Sequence, residues 1–106
     1  MNELPESAPL SLIQAYVHNM EVERGFSDQS TRDKCLLLGE EVGELFKAIR
    51  NSEGIAIDPE SDVGEIADEL TDVLIYLCAI ANRYEIDLER AFRAKEAKNQ
   101  SRTWKT

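Results

Sequence analysis

Two pairs of acidic side chains in the middle of the chain have a spacing that suits a metal ion. Glu41 and Glu44 are three residues apart, and so are Glu69 and Asp72. Residues three apart lie on the same side of a helix, so each pair would present two carboxylates together. Like charges this close raise each other's pKa and destabilise a helix. A divalent cation would offset the repulsion, and carboxylate oxygens suit Mg²⁺, with Mn²⁺ as a substitute.

Each acidic pair lies beside an apolar stripe of a predicted helix, about 100° away around the helix axis. The predicted core stripes are Leu38, Val42, Leu45 and Ile49 in one helix, and Ile66, Leu70, Val73, Leu77 and Ile80 in the next. The acidic stripes are Leu37, Glu41, Glu44 and Ala48, and Glu65, Glu69, Asp72, Tyr76, Ala79 and Arg83. The acids should therefore border a buried surface, whereas Glu40 turns further toward water. A solvated acidic face would show the same spacing, and the pattern alone leaves that alternative open.

Four helices are predicted, and no segment has the alternation of a confident strand. The predicted ranges are Pro9 to Arg24, Ser30 to Arg50, Asp58 to Tyr84, and Leu88 to Gln100. Caps delimit them: Gly25 ends the first, Ser30 with Asp33 begins the second, Asp58 with Pro59 begins the third, and Asp87 begins the fourth. The chain is thus expected to be a single all-α domain, a four-helix bundle over residues 1–106.

The composition excludes some classes of binding partner and indicates the cellular compartment. A formal net charge of −9 over 106 residues argues against a nucleic acid polymer or an anionic membrane as the main partner. The longest apolar run, Val73 to Ala81, is about half the length that crosses a bilayer. Cys35 and Cys78 are expected to be reduced core residues, which favours a cytoplasmic protein. The third helix is apolar almost all round in its second half, which indicates cover by another subunit.

Around the two acidic pairs, Glu41 with Glu44 and Glu69 with Asp72, the sequence resembles the MazG-like, all-α nucleoside triphosphate pyrophosphohydrolase superfamily. GEEVGEL followed by DELTDVLIYL is similar to its signature of E-E-x-x-E, a variable gap and E-x-x-D. Glu40, Glu41 and Glu44 match the first part, and Glu69 and Asp72 match the second. The resemblance extends over residues 24 to 102.

The resemblance implies a function and a set of site residues. The implied reaction is Mg²⁺-dependent hydrolysis of a nucleoside triphosphate, usually a deoxynucleotide, to the monophosphate and pyrophosphate, by a homodimer or homotetramer. Glu41, Glu44, Glu69 and Asp72 would be the metal ligands. The implied substrate-binding residues are Phe26, Glu40, Tyr76, Lys95, Lys98, Asn99 and Arg102.

The chemistry that such groups would perform is in-line attack of water on the α-phosphorus. Glu41 is the predicted general base, with Glu40 and Glu44 as alternatives. The basic and aromatic residues of the implied site also suit structural roles. A basic C-terminus complements a helix dipole, and Phe26 and Tyr76 would serve as core aromatics. The competing functions are phosphoribosyl-ATP pyrophosphohydrolase, a dUTPase-like relative, and a non-catalytic helical assembly module that binds nucleotide.

Overall fold

The computed structural model describes residues 3–102, and these form four α-helices and no strand. The helices are α1 (Leu10–Arg24), α2 (Thr31–Ser52), α3 (Ile66–Arg83) and α4 (Leu88–Gln100). The predicted all-α, four-helix fold is therefore confirmed, whereas Trp104 in the basic tail lies outside the described residues. Over the same range, no helix combines the length and the apolar character needed to span a bilayer.

The predicted caps of α1, α2 and α4 form by local hydrogen bonding. The hydroxyl of Ser30 accepts the backbone N–H of Asp33, and the Asp33 carboxylate accepts the backbone N–H of Ser30, which is a complete capping box. Gly25 ends α1 in the left-handed conformation, at a φ of 78°. The Asp87 carboxylate accepts two backbone N–H groups in the first turn of α4.

The predicted start of α3 was wrong, because Asp58 and Pro59 form a turn instead of a helix cap. The Asp58 carboxylate accepts the backbone N–H of Glu60, and the Asp58 carbonyl accepts that of Ser61, both at 2.9 Å. These bonds satisfy the backbone within the turn, as Asp-Pro sequences commonly do. The helix begins seven residues later, after Glu65.

The intrachain core lies between α1 and α3, with α2 packed along α3 and α4 packed against α1. Its buried members are Val17, Met20, Cys78 and Ala79. Small side chains on α3 allow a neighbouring helix to approach closely. Cys35, which was expected to be a second core cysteine, is exposed.

The face of α3 that is buried within the chain is the acidic stripe, and the predicted core stripe is partly exposed. Leu70 and Leu77 are 53% and 44% exposed, although both were predicted to be core residues. Ala79, which shares the stripe of Glu69 and Asp72, is only 1% exposed. A helix that is apolar almost all round has no unique inner face in its sequence, so packing decides which side turns inward.

Candidate functional site

Three of the four predicted metal ligands come together between α2 and α3. Glu41 on α2 and Glu69 and Asp72 on α3 each offer a carboxylate oxygen, and these oxygens lie within 4.8 Å of one another. All three side chains are half-buried. We refer to Glu41, Glu69 and Asp72 as the acidic cluster.

The acidic cluster carries the electrostatic cost that the sequence predicted. Partial burial, the charges of Asp72 and Glu69 and a hydrogen bond with Glu69 raise the pKa of Glu41 above its ordinary value. The Glu44 charge adds to this effect, so Glu44 lies close enough to Glu41 to influence it. Metal-free, the cluster is a site of repulsion that a bound cation would relieve.

Glu44 lies beside the acidic cluster but is paired with a lysine one turn further along α2. Its carboxylate is 3.1 Å from the ammonium of Lys47. The same ammonium donates to the hydroxyl of Ser61 at 3.0 Å, in the loop before α3. The fourth predicted ligand is thus near the other three, with its charge partly neutralised.

Gly64 makes room for one arm of the cluster. A Cβ added at this position would collide with the carboxylate of Glu69. The loop that precedes α3 therefore passes directly against Glu69, a predicted metal ligand. With Glu69 in this rotamer, only glycine fits at position 64.

The donor set fits a hard divalent cation. Mg²⁺ binds oxygen at about 2.0–2.1 Å, so ligands on opposite sides of one ion are at most about 4.2 Å apart. The oxygens of the acidic cluster, within 4.8 Å of one another, need only a small contraction to reach that geometry. Three carboxylates on two rigid helices would also leave positions open for water or phosphate oxygens.

Tyr76 stands one turn beyond Asp72 and faces the same charges. Burial and the nearby charges of Glu41, Asp72 and Glu40 raise the pKa of its phenol. The hydroxyl thus stays protonated at neutral pH. Glu40 itself is exposed, as predicted, yet close enough to contribute to this field.

A buried ion network next to the acidic cluster was not anticipated from the sequence. Glu21 on α1 accepts two parallel hydrogen bonds from the guanidinium of Arg83, both at 2.9 Å, and lies 3.1 Å from the ammonium of Lys34. The side chains of Glu21 and Lys34 are only 6% and 4% exposed. Although burial alone would raise it, the hydrogen bonds and charges of both cations hold the pKa of Glu21 below its ordinary value. The one available signal was the helical spacing of Gln14, Val17 and Glu21 on α1.

Lys34 joins this network to two aromatic rings. Its ammonium lies 5.3 Å from the ring centroids of both Phe26 and Tyr76, within the range of cation–π attraction. A cavity of about 170 Å³ opens at this point. Its walls are Met20, Glu21, Arg24, Phe26, Lys34, Asp72, Ile75, Tyr76 and Ala79. Because Asp72 belongs to both, the cavity and the acidic cluster are contiguous.

Two of the predicted phosphate-binding residues on α4, Lys95 and Asn99, lie away from the acidic cluster within one chain. Lys95 and Asn99 line an apolar groove of about 570 Å³ together with Leu74 and Leu77. A step of two residues turns a helix by about 200°, so Leu74 lies on the opposite side of α3 from Asp72. Lys98 is an exposed residue of α4, and Arg102 follows the end of α4.

Comparison with known proteins identifies the family to which this arrangement belongs. The family model described as the MazG nucleotide pyrophosphohydrolase domain matches residues 29–105. The chain belongs to the MazG family. The match includes the whole of α2, α3 and α4 and thus all the acids of the signature, while Glu21 and Phe26 precede it.

Solved structures agree with the MazG assignment. N-terminally tagged iMazG from Vibrio DAT 722 is 32% identical, with a TM-score of 0.65, and the match covers 92% of this chain and 99% of that one. C-terminally tagged iMazG from the same source is 34% identical, with a TM-score of 0.64, covering 87% of this chain and 98% of that one. No curated protein sequence gives a significant match.

Proposed function

We propose that this MazG protein is a Mg²⁺-dependent nucleoside triphosphate pyrophosphohydrolase that converts a deoxynucleoside triphosphate and water into the monophosphate and pyrophosphate. The observation that carries the proposal is the convergence of Glu41, Glu69 and Asp72 from two helices within 4.8 Å. A solvated acidic face would not need its carboxylates to converge at a half-buried point. Removal of surplus or damaged nucleotides is the cellular role that suits this reaction.

In this mechanism four acids of the signature would hold Mg²⁺, with Glu44 released from Lys47; they are Glu41, Glu44, Glu69 and Asp72. The metal ion, when bound, neutralises phosphate charge and activates water for attack at the α-phosphorus. Glu41 would accept the proton of the attacking water, a role that suits a half-buried carboxylate of the acidic cluster. The exposed carboxylate of Glu40 is the alternative base, because it lies beside the same charges.

The base of the nucleotide enters the contiguous cavity, against Phe26 and Tyr76. Asp72 forms part of both the acidic cluster and the cavity wall, so phosphates at the acids leave the sugar and base at the cavity. The protonated phenol of Tyr76 would donate a hydrogen bond to the sugar or to a phosphate oxygen.

Self-association completes the site in this proposal. Leu70, Leu74 and Leu77 on α3 and Phe92 on α4 are between 39% and 68% exposed and form an apolar surface that a second copy would cover. In a homodimer or homotetramer, the α4 of a neighbouring copy would then supply Lys95, Lys98, Asn99 and Arg102 to the phosphates. The position of Lys95 and Asn99 on the far side of α3 from Asp72 in the same chain supports this arrangement.

The decisive experiment identifies the products and the bond that breaks. Purified protein is incubated with Mg²⁺ and each deoxynucleoside triphosphate in ¹⁸O-labelled water, and the products are analysed by mass spectrometry. Attack at the α-phosphorus places the label in the monophosphate and leaves pyrophosphate unlabelled. Label in pyrophosphate, or release of inorganic phosphate and a diphosphate, would contradict the mechanism. Phosphoribosyl-ATP and dUTP in the same panel separate the narrower activities, and no turnover at all would favour a non-catalytic module.

A further inference from the structure

The cavity beside the acidic cluster has a size that discriminates between ring systems. Its volume is about 170 Å³. An apolar protein cavity of about 150 Å³ holds one benzene ring, which sets the scale. A single six-membered ring therefore matches the volume of this cavity, whereas the second ring of a purine would extend toward the open side of the cavity.

Lys34 is the buried cation of this cavity that has donors to spare, whereas Arg24 in the cavity wall is exposed to water. An ammonium group carries three N–H donors. One is engaged by Glu21 at 3.1 Å, and among residues 3–102 the other contacts of the ammonium are the faces of Phe26 and Tyr76. The side chain is 4% exposed, so a ligand in the cavity is its natural source of an oxygen acceptor.

Arg83, the other cation of the network, has no such capacity. Its guanidinium donates to both oxygens of Glu21 and to the carbonyls of Phe26, Gln29 and Ala79. These five bonds use all five of its donors. Arg83 thus holds Glu21 in place, and Glu21 in turn holds Lys34 at the cavity.

We infer that Lys34 determines base specificity by donating a hydrogen bond to a carbonyl oxygen of a pyrimidine base that occupies the cavity against Phe26 and Tyr76. This inference rests on the proposed function, which places the phosphates at the acidic cluster. Pyrimidines combine a single ring with a carbonyl oxygen. Adenine has two rings and no carbonyl, and guanine has the carbonyl but also the second ring.

The test measures binding of the monophosphates, so it needs no turnover. Isothermal titration with Mg²⁺ compares dTMP, dCMP, dAMP and dGMP on the wild-type protein and on the double variant E21Q/K34M. The double variant removes the Lys34 ammonium and the Glu21 charge together, and the new amide oxygen remains as an acceptor for Arg83. A hydrogen bond to a charged group corresponds to about tenfold or more in affinity, so dTMP and dCMP should bind at least about tenfold more tightly than dAMP. In the double variant that ratio should fall to within about threefold. R93M, which removes a cation from an exposed ion pair on α4, should leave the ratio unchanged.

A second measurement on the wild-type protein does not depend on any variant folding. In 2-thio-dTMP and 4-thio-dTMP a sulfur atom replaces one carbonyl oxygen. Because O2 is the only carbonyl oxygen that dTMP and dCMP share, 2-thio-dTMP should bind about tenfold more weakly than dTMP, since sulfur is a weak acceptor.

Three results would overturn the inference: dAMP binding as tightly as dTMP, an unchanged ratio in a folded E21Q/K34M, or equal binding of dTMP and 2-thio-dTMP. Pyrimidine selectivity without pyrophosphate release would instead overturn the proposed activity and leave the role of Lys34 standing. Pyrophosphate release without selectivity would do the reverse.

Discussion

Glu44 and Lys47 form an ion pair at 3.1 Å on α2, directly beside three carboxylates for which residues 3–102 provide no such partner. The pair holds the carboxylate of Glu44, a predicted metal ligand, against Lys47. The lysine also brings a positive charge close to the predicted cation site. Both effects oppose metal binding. The pair is half-exposed, so each effect is modest.

The first prediction is that K47M lowers the Mg²⁺ concentration needed for half-maximal activity by about two- to fivefold, the scale of a partly exposed ion pair. Activity is measured as pyrophosphate release over a Mg²⁺ titration. R93M, which removes a cation from an exposed pair on α4, serves as the control. A higher Mg²⁺ requirement in K47M would mean that Lys47 positions Glu44 for the metal.

The second prediction concerns the metal ligands themselves. D72N and E44Q should reduce turnover by at least about a hundredfold, because losing even an outer partner of a ligand costs ten- to a hundredfold. Far-ultraviolet circular dichroism should show helical content nearly unchanged. D68N changes an exposed acid on the same helix and should retain activity. Wild-type rates in either ligand variant would refute the metal assignment.

The third prediction links the acidic cluster to stability. Because the folded-state pKa of Glu41 is raised, its protonation stabilises the metal-free protein below the pKa of the unfolded chain, and this stability is lost as the pH rises through the folded pKa. E41Q should therefore raise the melting temperature of the metal-free protein at neutral pH and flatten this part of its pH dependence. Mg²⁺ should raise the melting temperature of the wild type more than that of E41Q. A metal-free E41Q that melts below the wild type would contradict the repulsion argument.

The fourth prediction concerns the buried network of Glu21, Lys34 and Arg83. E21Q should cost about 3–5 kcal/mol in the free energy of unfolding, because it leaves two buried cations without their carboxylate. Urea denaturation measures this loss, with E23Q at an exposed position of α1 as the control. Since the pKa of Glu21 is lowered, its contribution is full above the unfolded-state pKa and disappears as the pH falls through the folded one. A loss no greater than that of E23Q would show that the network contributes little.

The fifth prediction tests whether α4 serves a neighbouring copy. D72N has a damaged acidic cluster and an intact α4, and K95M/K98M has the reverse. Mixing the two under conditions of subunit exchange should restore activity that neither variant has alone. A mixture of D72N and E41Q, both damaged in the cluster, should not recover. Absence of recovery despite proven exchange would place the function of Lys95 and Lys98 within one chain or remove it.

Local physics explains the features that the sequence predicted correctly. Three helix ends depend on hydrogen bonds between residues at most four apart: the Ser30–Asp33 capping box, the Gly25 stop and the Asp87 cap. Neighbouring residue types are therefore enough to predict them. The same holds for the helical spacing of the acids. The spacing alone left a solvated acidic face as an alternative, and the resemblance to the family signature added the prediction that Glu41 and Glu44 would meet Glu69 and Asp72. The structure brings Glu41, Glu69 and Asp72 together. Where two local structures compete, as a turn and a cap do at Asp58, the sequence did not decide between them.

Only the tertiary structure decided which side of α3 turns inward and what lies opposite it. Leu70 and Ala79 are both apolar, and burial of Ala79 depends on how closely α1 and α2 can approach the helix. Glu21 and Arg83 are 62 residues apart, and no local pattern relates a carboxylate to a guanidinium at such a separation. An ion pair between exposed groups contributes little to stability, whereas a buried group is strongly destabilising without its partner. The fold as a whole decides which groups are buried.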